Sequence, residues 1–239
     1  SPHAIYGNAI HHVLQRAHTH LTATGKVRPA EDILGDFEQE LNRQPLGSED
    51  FAYFSRKGLD SLSAFLQAEA HTFRPEQKTE LSFAGQGVVL GDAHLTGTLD
   101  LVDIDYTANT IAVTDYKTGK PARSWQGRTD AEKIKLHKYR QQLMFYELLV
   151  RHSRDYARYD FAGATLQFVE PDKDTGDIHQ LSTSFSQAEL DEFAQLIAAV
   201  WRCITQLQLP DTSHYPATYK GILAFEEDLL RHRHIEEQE

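Results

Sequence analysis

A single cysteine, Cys203, in 239 residues rules out an internal disulfide and any zinc ribbon or iron–sulfur cluster built from four thiolates. Long apolar runs are also missing. None approaches the roughly 20 residues of a membrane span, and no basic-then-apolar leader opens the chain, so the expectation is a soluble, cytoplasmic protein with no membrane partner. Basic charge is scarce: 24 Lys and Arg face 35 Asp and Glu, a net charge of −11. That balance excludes a general nucleic-acid coat protein, whose hold on phosphates rests on Lys and Arg. The 13 histidines, including the close sets His11-His12, His18 and His20, and His232 and His234, lack zinc-protease or zinc-finger spacing and read mostly as solvated helix-face residues. A phosphate-binding Gly-x-x-x-x-Gly-Lys-Ser/Thr loop is absent, since Gly119-Lys120 runs into Pro121.

What is present suits a folded α/β chain. Hydrophobic residues make up 40% and charged residues 25%, which leaves ample material for a core and no case for disorder. The acidic average hides one basic stretch. From Asp115 to Arg140 there are eight basic residues against three acidic ones, among them Lys135, Lys138 and Arg140, and the positive field is confined there.

Helical periodicity runs over 4–24, where Gly25 ends it, then over 30–43 and 49–72. From about residue 77 the period shortens to that of strands: Thr79 to Phe83, Val88 to Leu90, Leu95 to Ile104 and Thr110 to Tyr116, expected to form one meander. Asp130 is the expected cap of a helix over 131–152, whose stripe Leu136, Tyr139, Leu143, Tyr146 and Val150 is set to pack on the sheet. A strand pair, 164–169 and 179–184, and a helix over 186–207 follow, then a loop and a charged terminal helix. No repeat or separating linker is evident. One domain is expected over 1–239, made of a helical layer (1–75), a core (76–185) and C-terminal helices (186–239).

The chemistry gathers on two neighbouring strands. In Gly97-Thr98-Leu99-Asp100-Leu101, alternation points Leu99 and Leu101 one way and Asp100 the other. In Asp115-Tyr116-Lys117-Thr118-Gly119, Asp115 and Lys117 are two residues apart and share a face. Two carboxylates and an ammonium together suit Mg²⁺ or Mn²⁺ and a water held for attack on a phosphate. Asp-x-Lys alone occurs by chance roughly once in a chain of this length. The order is the stronger signal: a Gly-x-x-Asp strand, Asp-Tyr-Lys-Thr-Gly closing the next, then a basic helix with Gln142 and Tyr146.

That order resembles the RecB-like branch of the PD-(D/E)XK nuclease superfamily, closest to the nuclease domain fused to the C-terminus of UvrD-type helicases. The resemblance implies a restriction-endonuclease-like central mixed sheet flanked by helices, behind an N-terminal helical layer. It implies metal binding by Asp100 and Asp115, a catalytic Lys117, and the Tyr116 carbonyl completing the metal shell. Gly7-Asn8-Ala9-Ile10-His11 matches the family's Gly-x-x-x-His helix, so His11 rather than His12 is the implied ligand. Gln142-Leu143-Met144-Phe145-Tyr146 matches its Gln-x-x-x-Tyr signature, and both residues, with Lys135, Lys138 and Arg140, are assigned to site support or DNA contact. Tyr146 also fits a plain core position. Glu80 sits where relatives carry an acidic residue, and a solvated strand charge explains it equally well. Leu101 departs from the Arg that relatives often place after the first Asp.

The implied activity is a Mg²⁺- or Mn²⁺-dependent deoxyribonuclease acting on single-stranded DNA or duplex ends in repair or recombination. The implied partner is a helicase motor in the same full-length chain, from which these residues would be an excised piece. A catalytically silent module that binds DNA or docks partner domains is the alternative, and predicts erosion of a metal set that is intact here. A zinc-bound, histidine-rich regulator is a third.

Overall fold

In the computed structural model of the chain, residues 1–236 are described, with side chains described through Arg231; the His232 and His234 side chains lie outside them. The described elements group into two compact units, each drawn from separate stretches of sequence.

The first unit comprises Ser1–Leu81, Thr98–Arg123 and Ala162–Thr183. It opens with α1 (Pro2–Thr24), whose first turn is capped by the Ser1 hydroxyl accepting from the Ala4 N–H. Gly25, at φ 70°, ends it in the left-handed conformation that glycine adopts without steric cost. Helices α2 (Ala30–Asn42) and α3 (Ser48–Glu69) follow. The three pack through Tyr6, Ile10, Leu14, Phe37, Phe54 and Phe65, all essentially buried. Gly58 of α3 is required by that packing, because a Cβ there would stand 2.1 Å from the Phe37 ring.

The helical layer rests on a five-stranded mixed sheet. Its strands are β1 (Lys78–Ser82), β4 (Thr98–Asp105), β5 (Thr110–Lys117), β6 (Asp160–Phe168) and β7 (Gln180–Thr183), in the order β1-β4-β5-β6-β7. β4 and β5 are antiparallel, with Leu101 opposite Thr114 and Ile104 opposite Ile111. Leu101 and Tyr116 join the helical core from these two strands. This is the α/β, restriction-endonuclease-like arrangement.

The second unit holds the hairpin β2 (Val88–Leu90) and β3 (Ala93–Leu95) with α4 (Asp130–Arg151), α5 (Gln187–Thr205) and α6 (Tyr219–Glu236). Leu136, Leu143, Tyr146 and Val150 of α4 are buried. The Leu149 methyl would stand 2.9 Å from a Cβ at Gly97, so α4 packs directly on that glycine's backbone.

Two expectations need correction. The first four strands are not one meander: β2 and β3 pair only with each other, and β1 neighbours β4. The run from Leu95 to Ile104 breaks at Thr96-Gly97, outside both β3 and β4, because it serves two different sheets. The cap of α4 is Thr129, not Asp130. The Thr129 hydroxyl accepts from the Glu132 N–H while Glu132 returns a bond to the Thr129 N–H, a reciprocal box that satisfies two otherwise orphaned donors. Asp130 instead accepts from the Tyr219 N–H at 2.8 Å.

Candidate metal centre

α1, the strands β1 and β4 and the residue after β5 supply the polar groups of a cleft in the first unit, a cavity of about 410 Å³ whose wall includes Gly7, His11, Glu80, Asp100 and Thr118. The close seating of α1 depends on its glycine. A Cβ at Gly7 would lie 3.1 Å from the Thr118 hydroxyl oxygen, so a side chain there is accommodated only if that hydroxyl or the helix gives by a few tenths of an ångström. One turn later, His11 Nδ1 lies 3.4 Å from Asp100 Oδ2. His12 turns elsewhere, its Nδ1 3.1 Å from Glu40.

Asp100 is fixed from two sides. Its Oδ2 accepts the Tyr116 N–H at 2.8 Å, and its carbonyl accepts the Thr79 hydroxyl at 3.1 Å. Next to Thr79, Glu80 has φ 49°, a left-handed geometry that costs a non-glycine residue about 1–2 kcal/mol. Strain of this kind concentrates at functional sites. Here it accompanies a carboxylate that meets the other two groups: donor atoms of His11, Glu80 and Asp100 all lie within 4.8 Å of one another.

On β5, Asp115 is buried and its Oδ2 lies 2.5 Å from Lys117 Nζ. The pair adjoins the cluster, and Asp115 acts electrostatically on both His11 and Glu80. Burial disfavours a charged His11, but the hydrogen bond and charge of Asp100, then Asp115 and Glu80, outweigh it and raise the imidazole above its usual value. Burial first, then Asp100, raises the Glu80 carboxyl, with His11 and His12 opposing. Both shifts register an excess of carboxylate in a confined space.

Two carboxylates and an imidazole are a donor set suited to a hard divalent cation that tolerates nitrogen. Ligands on one Mg²⁺ lie at most about 4 Å apart, so the 4.8 Å span closes with a shift of under 1 Å. The residues fit the metal.

Of the residues expected at the site, His11, Asp100, Asp115, Tyr116 and Lys117 fall in this unit, and Glu80 joins His11 and Asp100 where Asp115 pairs with Lys117. Gln142, Tyr146, Lys135, Lys138 and Arg140 belong to the second unit. There the Gln142 amide donates to the Tyr146 hydroxyl at 2.7 Å. Arg140 is 2.6 Å from Glu189 and faces the Trp125 and Phe185 rings, and Lys135 faces Tyr139. Leu101, where relatives often carry Arg, lies in the core beneath the helices, where an unpaired guanidinium would be costly.

Sequence reasoning missed His18. It is not a solvated helix-face residue but is buried, its Nε2 2.8 Å from the Tyr116 hydroxyl and its ring against Phe73. Burial pushes it down to about 4, against the pull of Asp103, and raises the Tyr116 phenol. At neutral pH, then, the phenol donates to a neutral imidazole. The signal was its position seven residues after His11, two turns along the same helix face.

Together the α/β sheet, the clustered carboxylates and imidazole, and the adjoining Asp-x-Lys define a metal-dependent phosphodiesterase class. A sequence model of the PD-(D/E)XK nuclease superfamily matches residues 1–219, and the chain belongs to that superfamily. Membership implies metal-dependent nuclease hydrolysis. No curated protein matches the chain.

Proposed function

We propose that the chain is a Mg²⁺- or Mn²⁺-dependent deoxyribonuclease of the RecB-like branch. It would act in the cytoplasm on single strands or duplex ends as the nuclease module of a helicase-nuclease in repair or recombination, the motor lying in the same full-length chain. The observation that carries this reading is the approach of His11, Glu80 and Asp100 donors to within 4.8 Å beside the Asp115–Lys117 pair.

His11, Asp100 and Asp115 hold the metal, with Glu80 added as a fourth protein donor and the Tyr116 carbonyl completing the shell. Bound there, the cation supplies Lewis-acid polarisation of the scissile phosphate. Lys117 orients the attacking water and offsets charge on the phosphate, and its pairing with Asp115 holds the ammonium beside that carboxylate. The buried His18–Tyr116 contact braces the strand carrying both groups. Gln142, Tyr146, Lys135, Lys138 and Arg140 support the site or contact the DNA backbone, which carries no sequence information, so specificity for sequence is low.

The test is digestion of end-labelled linear single- and double-stranded DNA with Mg²⁺ or Mn²⁺. Wild-type protein cuts, chelation stops it, and Asp115→Ala and Lys117→Ala lose cleavage. Equal cutting by those variants would remove the assignment.

A further inference from the structure

The first unit contains a second cavity, of about 480 Å³, between α3 and the connection after β6. Its wall includes Tyr53, Arg56, Lys57 and Ser61 of α3 with Glu170 and Lys173 of that connection. Tyr53 is 58% exposed and is held by an edge-to-face contact with Phe54 at 4.9 Å. Lys57 is committed: it lies 2.8 Å from Glu170 and 5.1 Å from the Tyr6 ring centre. That pairing neutralises Glu170, and Asp60, the other acid of the wall, is exposed, so Arg56 and Lys173 outnumber the remaining carboxylate two to one. Arg56 and Lys173 are exposed, and no ion pair among the described residues holds either.

Two chains of contacts place this cavity near the metal cleft. The Val169 N–H donates to the Lys117 carbonyl at 2.9 Å, so Glu170 begins beside the strand end that carries Lys117 and Thr118. On the helix side, His3 of the cleft wall is 5.1 Å from Phe54, the ring that also touches Tyr53. An exposed ring flanked by two available cations, leading away from a phosphodiesterase centre, has the composition of a single-strand path: a stacking platform with phosphate contacts on either side.

We propose that this cavity holds the stretch of single-stranded DNA flanking the scissile phosphate, one base stacking on Tyr53 while Arg56 and Lys173 take neighbouring phosphates. The proposal rests on the nuclease reading for the identity of the strand, and its test is separable from that reading because it measures binding without cleavage. The probe is 5′-fluorescein-labelled dT12, titrated with the protein by anisotropy in EDTA over a series of salt concentrations. Tyr53→Ala weakens binding about tenfold, within the range for loss of one stacked base, and Tyr53→Trp restores it. The double variant Arg56→Ala/Lys173→Ala lowers the magnitude of the slope of log K against log salt by about 1.4, two phosphates' worth on a single strand. A loss of fold alone would not spare Tyr53→Trp or change the salt slope. Wild-type affinity and slope in these variants, in a protein that cuts DNA, would overturn the groove. Weakened binding in a protein that never cuts would keep the groove and remove the nuclease reading instead.

Discussion

Acidification, compared between wild type and His18→Leu, should isolate what His18 contributes to stability. Folded, its imidazole titrates at about 4 because it is buried; unfolded, it returns to about 6.5. Between those values the unfolded chain binds the extra proton, so stability rises with pH through the window. The contribution is complete above about pH 6.5 and is lost as pH falls toward 4. From pH 7 to pH 4.5 the loss from this one group is about 2 kcal/mol. His18→Leu removes it but strands the Tyr116 hydroxyl, which His18 accepts at 2.8 Å, at a cost of about 1–3 kcal/mol. In metal-free protein the variant is therefore less stable than wild type at pH 7, and the gap narrows by about 2 kcal/mol at pH 4.5, closing or reversing. Urea denaturation followed by circular dichroism at both pH values, compared at matched m, measures it. A gap independent of pH would show that His18 is solvated in the folded state, and the bracing assigned to it would fall.

Three further substitutions probe separate links. Glu80→Gln removes a donor from the cluster and should weaken Mn²⁺ binding by about tenfold or more in calorimetric titration, on the scale seen for altered metal shells; unchanged affinity would return Glu80 to a plain strand charge. Gly7→Ala places a methyl 3.1 Å from the Thr118 hydroxyl while improving helix propensity by up to about 1 kcal/mol, so DNA cleavage should fall without loss of stability. Thr118→Ala in the same chain should recover part of that activity, and no recovery would rule out the steric cause. Gly58→Ala drives a Cβ to 2.1 Å from the Phe37 ring and should destabilise by about 1–3 kcal/mol in urea, less when Phe37→Leu makes room; equal costs in both backgrounds would mean the helices separate rather than clash.

The sequence was most legible where chemistry and period coincide. Asp100 and the Asp115–Lys117 pair could be placed on adjacent strands because alternation is rigid over so few residues, and Gly7 with His11 because one helical turn fixes their relation. Glu80 was not separable from a solvated strand charge, since what brings it to His11 and Asp100 is a φ of 49° and the pairing of β1 with β4 across the intervening hairpin. Neither leaves a mark in local composition. His18 was misread for a related reason: burial depends on what packs against the helix, here Phe73 and Tyr116, and both arrive from far along the chain. The cap of α4 was missed by one residue because Thr129 and Asp130 are both good caps, and only the return bond from Glu132 decides between them.

Measuring Mn²⁺ affinity and DNA cleavage side by side in wild type, Asp100→Ala and Lys117→Ala tests the division of labour at the centre most directly. Wild type should bind and cut, Asp100→Ala should do neither, and Lys117→Ala should bind Mn²⁺ yet fail to cut. Cleavage that survives in Asp100→Ala, or in Lys117→Ala at the wild-type rate, would contradict the assignment of hydrolysis to this site.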